Sequence, residues 1–224
     1  MKLAVLGTGM VGNTIGTKLA QAGHDVMMGS RTSDNPKAVA WAESAGGGAS
    51  HGTFADAAAF GEIIFNCTSG LATLQVLELA GAGNLAGKIL IDISNPLDFS
   101  NGFPPTLSVC NDDSLGEQIQ RAFPDLNVVK TLNTLTCAIM VNPGLVAGDH
   151  TIFMSGNDAG AKTRVRDLLH EAFGWKPENI IDLGDITTAR GTEMLLPIWL
   201  RLMGTLGTPN FNFNIVVGAA PQGA

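Results

Sequence analysis

A hexapeptide near the amino terminus, Gly7-Thr8-Gly9-Met10-Val11-Gly12, constrains the fold of this chain more than any other feature. Alone, the GxGxxG pattern is a glycine-rich turn that chance also produces. Its neighbours give it weight. Lys2 to Leu6 is a short apolar run that reads as a buried strand, and Met10 to Ala22 carries Val11, Ile15, Leu19 and Ala22 at helical spacing before Gly23 ends it. Strand, glycine turn and helix in this order turn the N–H groups of a helix N-terminus toward a pyrophosphate. Gly7 would permit the turn, Gly9 the approach of the phosphates and Gly12 the packing of helix on strand.

The end of the second strand, His24 to Met28, is the next test, because a carboxylate there would hold the ribose hydroxyls of NAD. Gly29-Ser30-Arg31-Thr32 occupies the place instead, with Arg31 19 residues after Gly12. A guanidinium and two hydroxyls suit a 2′-phosphate, which an acid would repel. NADP is therefore expected over NAD. Asp25 lies too early in the strand and Asp34 past the turn; Lys37 is either a further phosphate ligand or an exposed lysine on the next helix.

Further along, Asn35 to Ala45 reads as a helix with Pro36 at its start, Glu62 to Cys67 as a buried strand, Leu71 to Ala80 as a helix and Lys88 to Ile93 as a strand stopped by Asn95-Pro96. Residues 98–113 read as a long loop, Leu115 to Phe123 as a helix and Asn127 to Leu132 as a strand. Strand, helix and strand recur at Thr151–Ser155, Ala159–Phe173 and Ile180–Leu183. A long helix over Ile186–Met203 and a tail strand over Asn210–Val217 complete the expectation. The alternation predicts an α/β fold of Rossmann type, a doubly wound, mainly parallel sheet with a small C-terminal α/β lobe. A soft division near residue 140 separates a cofactor domain, 1–140, from a lobe closing the cleft, 141–224.

A formal net charge of −7 argues against nucleic acid or an anionic membrane as partner. Cys67, Cys110 and Cys137 form no CxxC pair and suit reduced thiols in the cytoplasm. No metal site is expected, since His24, His51, His150 and His170 show neither metal nor triad spacing. Nor does any run reach the length of a membrane span. Lys130, inside an apolar strand, either supports a site or marks a strand end. The apolar late helix suits a homodimer or burial within one chain.

With the glycine loop and the Gly29-Ser30-Arg31 turn stand Asp92-Ile93-Ser94-Asn95-Pro96, Val129-Lys130-Thr131-Leu132-Asn133-Thr134, Ala189-Arg190 with Glu193, and Phe211 and Phe213. On these the sequence resembles the NADPH:coenzyme F420 oxidoreductase family over most of its length. The resemblance implies hydride transfer between NADP(H) and a deazaflavin, coenzyme F420, in a Rossmann domain with a small lobe over the cleft. It also implies that Thr8, Ser30 and Arg31 contact the 2′-phosphate, and that Cys67, Thr68, Ser69 and Gly70 pass the ribose and pyrophosphate. Asn133, Cys137 and Ala138 would lie beside the nicotinamide. Asn133 and Ala138 are thus positioning candidates, and no general base is assigned. The chain departs from the family in having few cations where a polyanionic tail would lie, and in a longer insert over 98–113. A flavin or ferric reductase, and an NADPH sensor without turnover, are the alternatives; a slot lined by Met140, Pro197 and Trp199 is expected for the enzyme, and a cleft blocked by Leu195, Trp199 or the tail for the sensor.

Overall fold

Leu3 and Val5 turn to one face of a central sheet and Ala4 and Leu6 to the other, and all four are fully buried. The same alternation repeats in the neighbouring strands, where Ile63, Phe65, Ile89 and Ile91 enter one core while Ile64 and Leu90 enter the second. A strand buried on both faces must be apolar at every position, which is why these segments read as continuous greasy runs.

The computed structural model describes residues 1–218. In chain order the elements are β1 (Lys2–Leu6), α1 (Met10–Gln21), β2 (Asp25–Ser30), α2 (Pro36–Ala45), β3 (Ala49–Thr53), α3 (Phe54–Phe60), β4 (Ile63–Asn66), α4 (Thr73–Ala80), α5 (Ala82–Leu85) and β5 (Ile89–Asp92). They continue with β6 (Leu97–Asp98), β7 (Thr106–Leu107), α6 (Leu115–Ala122), β8 (Asn127–Thr131), α7 (Cys137–Met140), β9 (Ile152–Gly156), α8 (Ala159–Leu168), β10 (Ile180–Gly184), α9 (Ala189–Glu193) and α10 (Leu196–Leu206).

Eight strands form one sheet in the order β10-β9-β8-β5-β4-β1-β2-β3, parallel throughout except where β9 runs against β8. Helices α1, α2 and α8 cover one face and α3, α4 and α6 the other. The sheet winds outward in both directions from β1 and β4, and Leu6 pairs in register with both Gly29 and Asn66. Gly7, Ser30 and Cys67 therefore leave the sheet at one edge, at the switch point where open α/β sheets bind ligands.

Strand β3 and helix α3 lie in a stretch without an apolar pattern, Ala49-Ser50-His51-Gly52-Thr53. At the sheet's edge β3 needs only one covered face, and Thr53 and Asp56 close a capping box that starts α3. The long helix expected over Ile186–Met203 is broken. Pro197 has no N–H to give the carbonyl of Glu193, so the chain forms a 3₁₀ turn at Ile186–Thr188, then α9, then α10. Among the described residues the tail forms no strand: β9 already has β8 and β10 on its two edges. The tail latches onto the residue before β9 instead, with Thr151 N donating to Phe213 O at 2.8 Å and Asn212 Nδ2 to Thr151 O at 3.0 Å. The end of the expected lobe, 219–224, lies outside the described residues. Loop 98–113 carries a two-strand hairpin, β6 with β7.

Candidate cofactor site

Two adjoining pockets run along the C-terminal edge of the sheet and share Cys67 and Thr68. The first, about 310 Å³, is lined by Gly7, Thr8, Gly9, Ser30, Arg31 and Ser69 among others. Its shape depends on missing side chains. A Cβ on Gly12 would lie 2.0 Å from Gly7 O, and one on Gly7 2.8 Å from Cys67 O, whereas a Cβ on Gly9 meets nothing within 4 Å. Gly12 and Gly7 thus serve the packing of α1 against β1 and β4, and Gly9 keeps space clear for something outside the chain. Because α1 has no acidic residue in its first turn, its free N–H groups face that space without a competing charge.

Arg31 is exposed and makes no ion pair among the described residues. Ser30 is buried, and its hydroxyl donates to Thr32 O at 2.6 Å. Asn35 joins them in the lining; its Oδ1 accepts from Lys37 N and Ala38 N, capping α2. The residues present fit a phosphorylated dinucleotide: an open helix N-terminus for the pyrophosphate and a guanidinium beside it.

The second pocket, about 250 Å³, is bounded by Met10, Val11, Ser94, Asn95, Asn133, Cys137, Met140, Leu196 and Trp199, with other residues between them. Among the described residues, its titratable side chains are Cys67 and Cys137. Burial, with the Asp92 carboxylate adding to it, pushes the Cys67 thiol far up, so it stays neutral. Asn133 has both amide protons engaged, with Asn95 Oδ1 at 2.9 Å and Thr192 O at 3.2 Å, while its own carbonyl accepts from Asn95 Nδ2 at 2.8 Å.

The profile of the family described as NADP oxidoreductase, coenzyme F420-dependent, matches residues 2–96. A solved structure from Arthrobacter sp. FB24, provisionally named an F420-dependent NADP-reductase, is 53% identical and superposes with a TM-score of 0.91, covering 97% of this chain and 100% of that one. The chain belongs to the F420-dependent NADP oxidoreductase family. Metalloreductase STEAP3 of Rattus norvegicus is 30% identical over 203 residues, 88% of this chain; the chain spans only 38% of that relative's length. An imine reductase from Myxococcus stipitatus, solved with NADP+, shares 19% identity at a TM-score of 0.61 over 92% of this chain and 64% of its own, a likeness of fold alone.

Beneath the second pocket this family member buries a charged cluster. Lys130 Nζ lies 2.8 Å from Asp92 Oδ2 and 2.8 Å from Glu193 Oε1, with all three side chains at most 2% exposed, and it also donates to Ser94 O. Burial alone would discharge this ammonium, but Asp92 and Glu193 outweigh it and hold its pKa above the ordinary lysine range. The second carboxylate is balanced by α6, whose Leu115 and Gly116 amides donate to Glu193 at 2.8 and 3.0 Å. Asp92 Oδ1 accepts from Asn66 Nδ2 and Ser94 Oγ, which extends the network toward Thr73 and Thr68.

The structure brings the sequence-derived candidates together in part. Met10, Val11, Thr68 and Asn133 line the second pocket beside Met140 and Trp199. Thr32, Ala138, Pro197 and Leu195 line neither pocket, and Lys37 lies with Thr8, Gly9 and Met10 in a separate open hollow between α1 and α2. Gly70 is a packing residue, since its Cβ would lie 2.0 Å from Asn95 O. None of the four histidines lines either pocket. Sequence reading missed Asn35, Asn95, Leu196 and the partner of Lys130, Glu193. Asn95 had a visible signal, the strand-ending Asn95-Pro96; Glu193 was visible only as part of the resemblance, and its pairing with Lys130 was not, because the two lie 63 positions apart.

Proposed function

We propose that this chain binds NADP(H) along the C-terminal ends of β1, β2 and β4 and transfers hydride between the nicotinamide and a deazaflavin such as coenzyme F420. The first turn of α1 and Gly9 would receive the pyrophosphate, and Thr8, Ser30 and Arg31 the 2′-phosphate. NADPH, when bound, supplies the hydride. The second pocket would take the nicotinamide and its acceptor, with Asn133 and the turn at Thr136 and Cys137, just before Ala138, as positioning groups.

One observation carries this reading: among the described residues, no histidine, lysine, arginine or carboxylate side chain lines the second pocket. Reduction of an imine or a keto acid delivers a proton to a substrate heteroatom together with the hydride, and needs a donor in place. Between two heterocycles, the protein has to align the rings and exclude water, while ring nitrogens exchange protons with solvent. Similarity to the rat metalloreductase favours a second reading, a flavin or ferric acceptor at the same pocket. Three free thiols support a reducing, cytoplasmic setting, and among the described residues no helix is long and apolar enough to cross a membrane.

NADPH oxidation followed by absorbance, in parallel with F420, FAD, FMN and ferric chelates and with NADH as control, tests the proposal. Turnover with F420 and preference for NADPH are expected. Turnover with flavin or iron alone moves the acceptor to the second reading; tight NADPH binding without any turnover makes the chain a sensor.

A further inference from the structure

Three separate segments line the second pocket: the end of β5 with Ser94 and Asn95, the segment after β8 with Asn133, and α10 with Leu196 and Trp199. Two ties run between them. Asn133 bonds Asn95 on one side and Thr192 O on the other. One layer deeper, Lys130 bonds Asp92 and Ser94 O at the end of β5 and Glu193 at the end of α9. Thr192 and Glu193 are neighbours, and three residues later Leu196 opens α10. Arg190, on the same short helix, is fastened to Glu117 of α6 from the surface side, Nε to Oε2 at 2.8 Å.

A full positive charge fixed by two carboxylates in a dry site has almost no freedom to move, and losing either partner leaves a buried charge exposed to no water. Such a cluster is a costly way to hold a helix in place when leucine would do. Its position explains the cost. We propose that Lys130 and Glu193 are positioning residues that set the separation between the β5 side and the α10 side of the pocket, and so the alignment of the two rings for hydride transfer. This rests on reading the pocket as the nicotinamide end of the site. Among the described residues β1, β2 and α2, at the adenosine end, make no direct hydrogen bond to Lys130, Asp92 or Glu193, and Thr68, shared by both pockets, reaches Asp92 only indirectly, through Asn66 or by way of Thr73 and Ser94, so the two halves of the cofactor should respond differently to the cluster's loss.

The test compares wild type with Glu193→Gln, which keeps the side chain's size but presents an amide to an ammonium or to a backbone N–H, and with Arg190→Gln, which frees α9 from Glu117 and leaves Lys130, Asp92 and Glu193 unaltered. Each is titrated with 2′,5′-ADP, which fills the adenosine end alone, and with NADPH, reading nicotinamide fluorescence; single-turnover hydride transfer to F420 is followed by stopped flow. Affinity for 2′,5′-ADP should stay within about twofold, nicotinamide emission should fall, and transfer should slow about 10- to 100-fold in Glu193→Gln and several-fold in Arg190→Gln, the scale of a misplacement near 1 Å. A purely structural role would lower the melting temperature and leave emission and rate per folded molecule unchanged, which overturns the proposal. Should Glu193→Gln fail to fold, Arg190→Gln decides by the same readouts. If wild type transfers no hydride to F420 but the variants still separate nicotinamide emission from 2′,5′-ADP affinity, the acceptor assigned above is wrong and the positioning role is upheld.

Discussion

Gly9 and Gly12 look alike in the motif, yet the structure gives them opposite duties, and substitution should separate them. Alanine at Gly12 puts a methyl 2.0 Å from the Gly7 carbonyl, so α1 must move off β1; overpacking of this kind costs about 1–3 kcal/mol, read as a lowered urea midpoint. At Gly9 the added methyl meets no protein atom, and φ there is −76°, allowed to any residue. Gly9→Ala should therefore fold with stability within about 1 kcal/mol of wild type and lose NADPH affinity at least tenfold; unchanged affinity would remove Gly9 from the cofactor site. The glycine spacing was legible because each glycine answers a local need of the backbone. Arg31 was legible for a similar reason, at a fixed distance along one strand-helix-strand unit. Lys130 was only half legible: an apolar strand containing one lysine announces a buried charge or a strand end, and only the fold shows that Asp92 and Glu193 meet it.

At the scale of elements, α6 is the joint to which α9 is bound, and its own ends are held by carboxylates. The Arg121 guanidinium hydrogen-bonded to Asp113 at 2.8 and 2.9 Å lowers that carboxyl from 3.8 to about 2, and Arg190 holds Glu117 below the usual glutamate range. A carboxyl depressed in the folded state stabilises fully above its unfolded pKa and loses that contribution as pH falls through the folded one. Stability should thus decline between about pH 4 and pH 2, with the exposed Arg121 side chain keeping the Asp113 share small. Urea midpoints measured across pH 2–7 should fall less steeply in Asp113→Asn and Glu117→Gln, and identical acid limbs in all three proteins would refute the assignment. Elements with a strong apolar period, β1, α1, β4 and β5, were legible in the sequence. Strand β3 was not, because an edge strand of Ser, His and Gly has no hydrophobic signature; nor was the break before α10, where Pro197 had to be weighed against ten apolar neighbours that suggested continuity.

For the whole molecule, α10 buries Leu196 and Leu200 and leaves Ile198 and Leu206 more than half exposed, with Val216 and Val217 of the tail 86% exposed. Cofactor choice is a property of the whole fold, because a ligand spanning β1, β2 and β4 ties together strands that otherwise meet only through the sheet. Ligand at 100 times its Kd stabilises the folded state by about 2.7 kcal/mol. For a chain of this length each kcal/mol raises Tm by about 2–4 °C, so saturating NADPH should raise it by about 5–11 °C. NADH at the same concentration offers Ser30 and Arg31 no phosphate and should raise it far less. Arg31→Ala should bring the two shifts together by lowering the NADPH shift and sparing the NADH one. Equal shifts in wild type would show instead that the open end of β2, with no carboxylate and an unpaired arginine, does not select the phosphorylated cofactor.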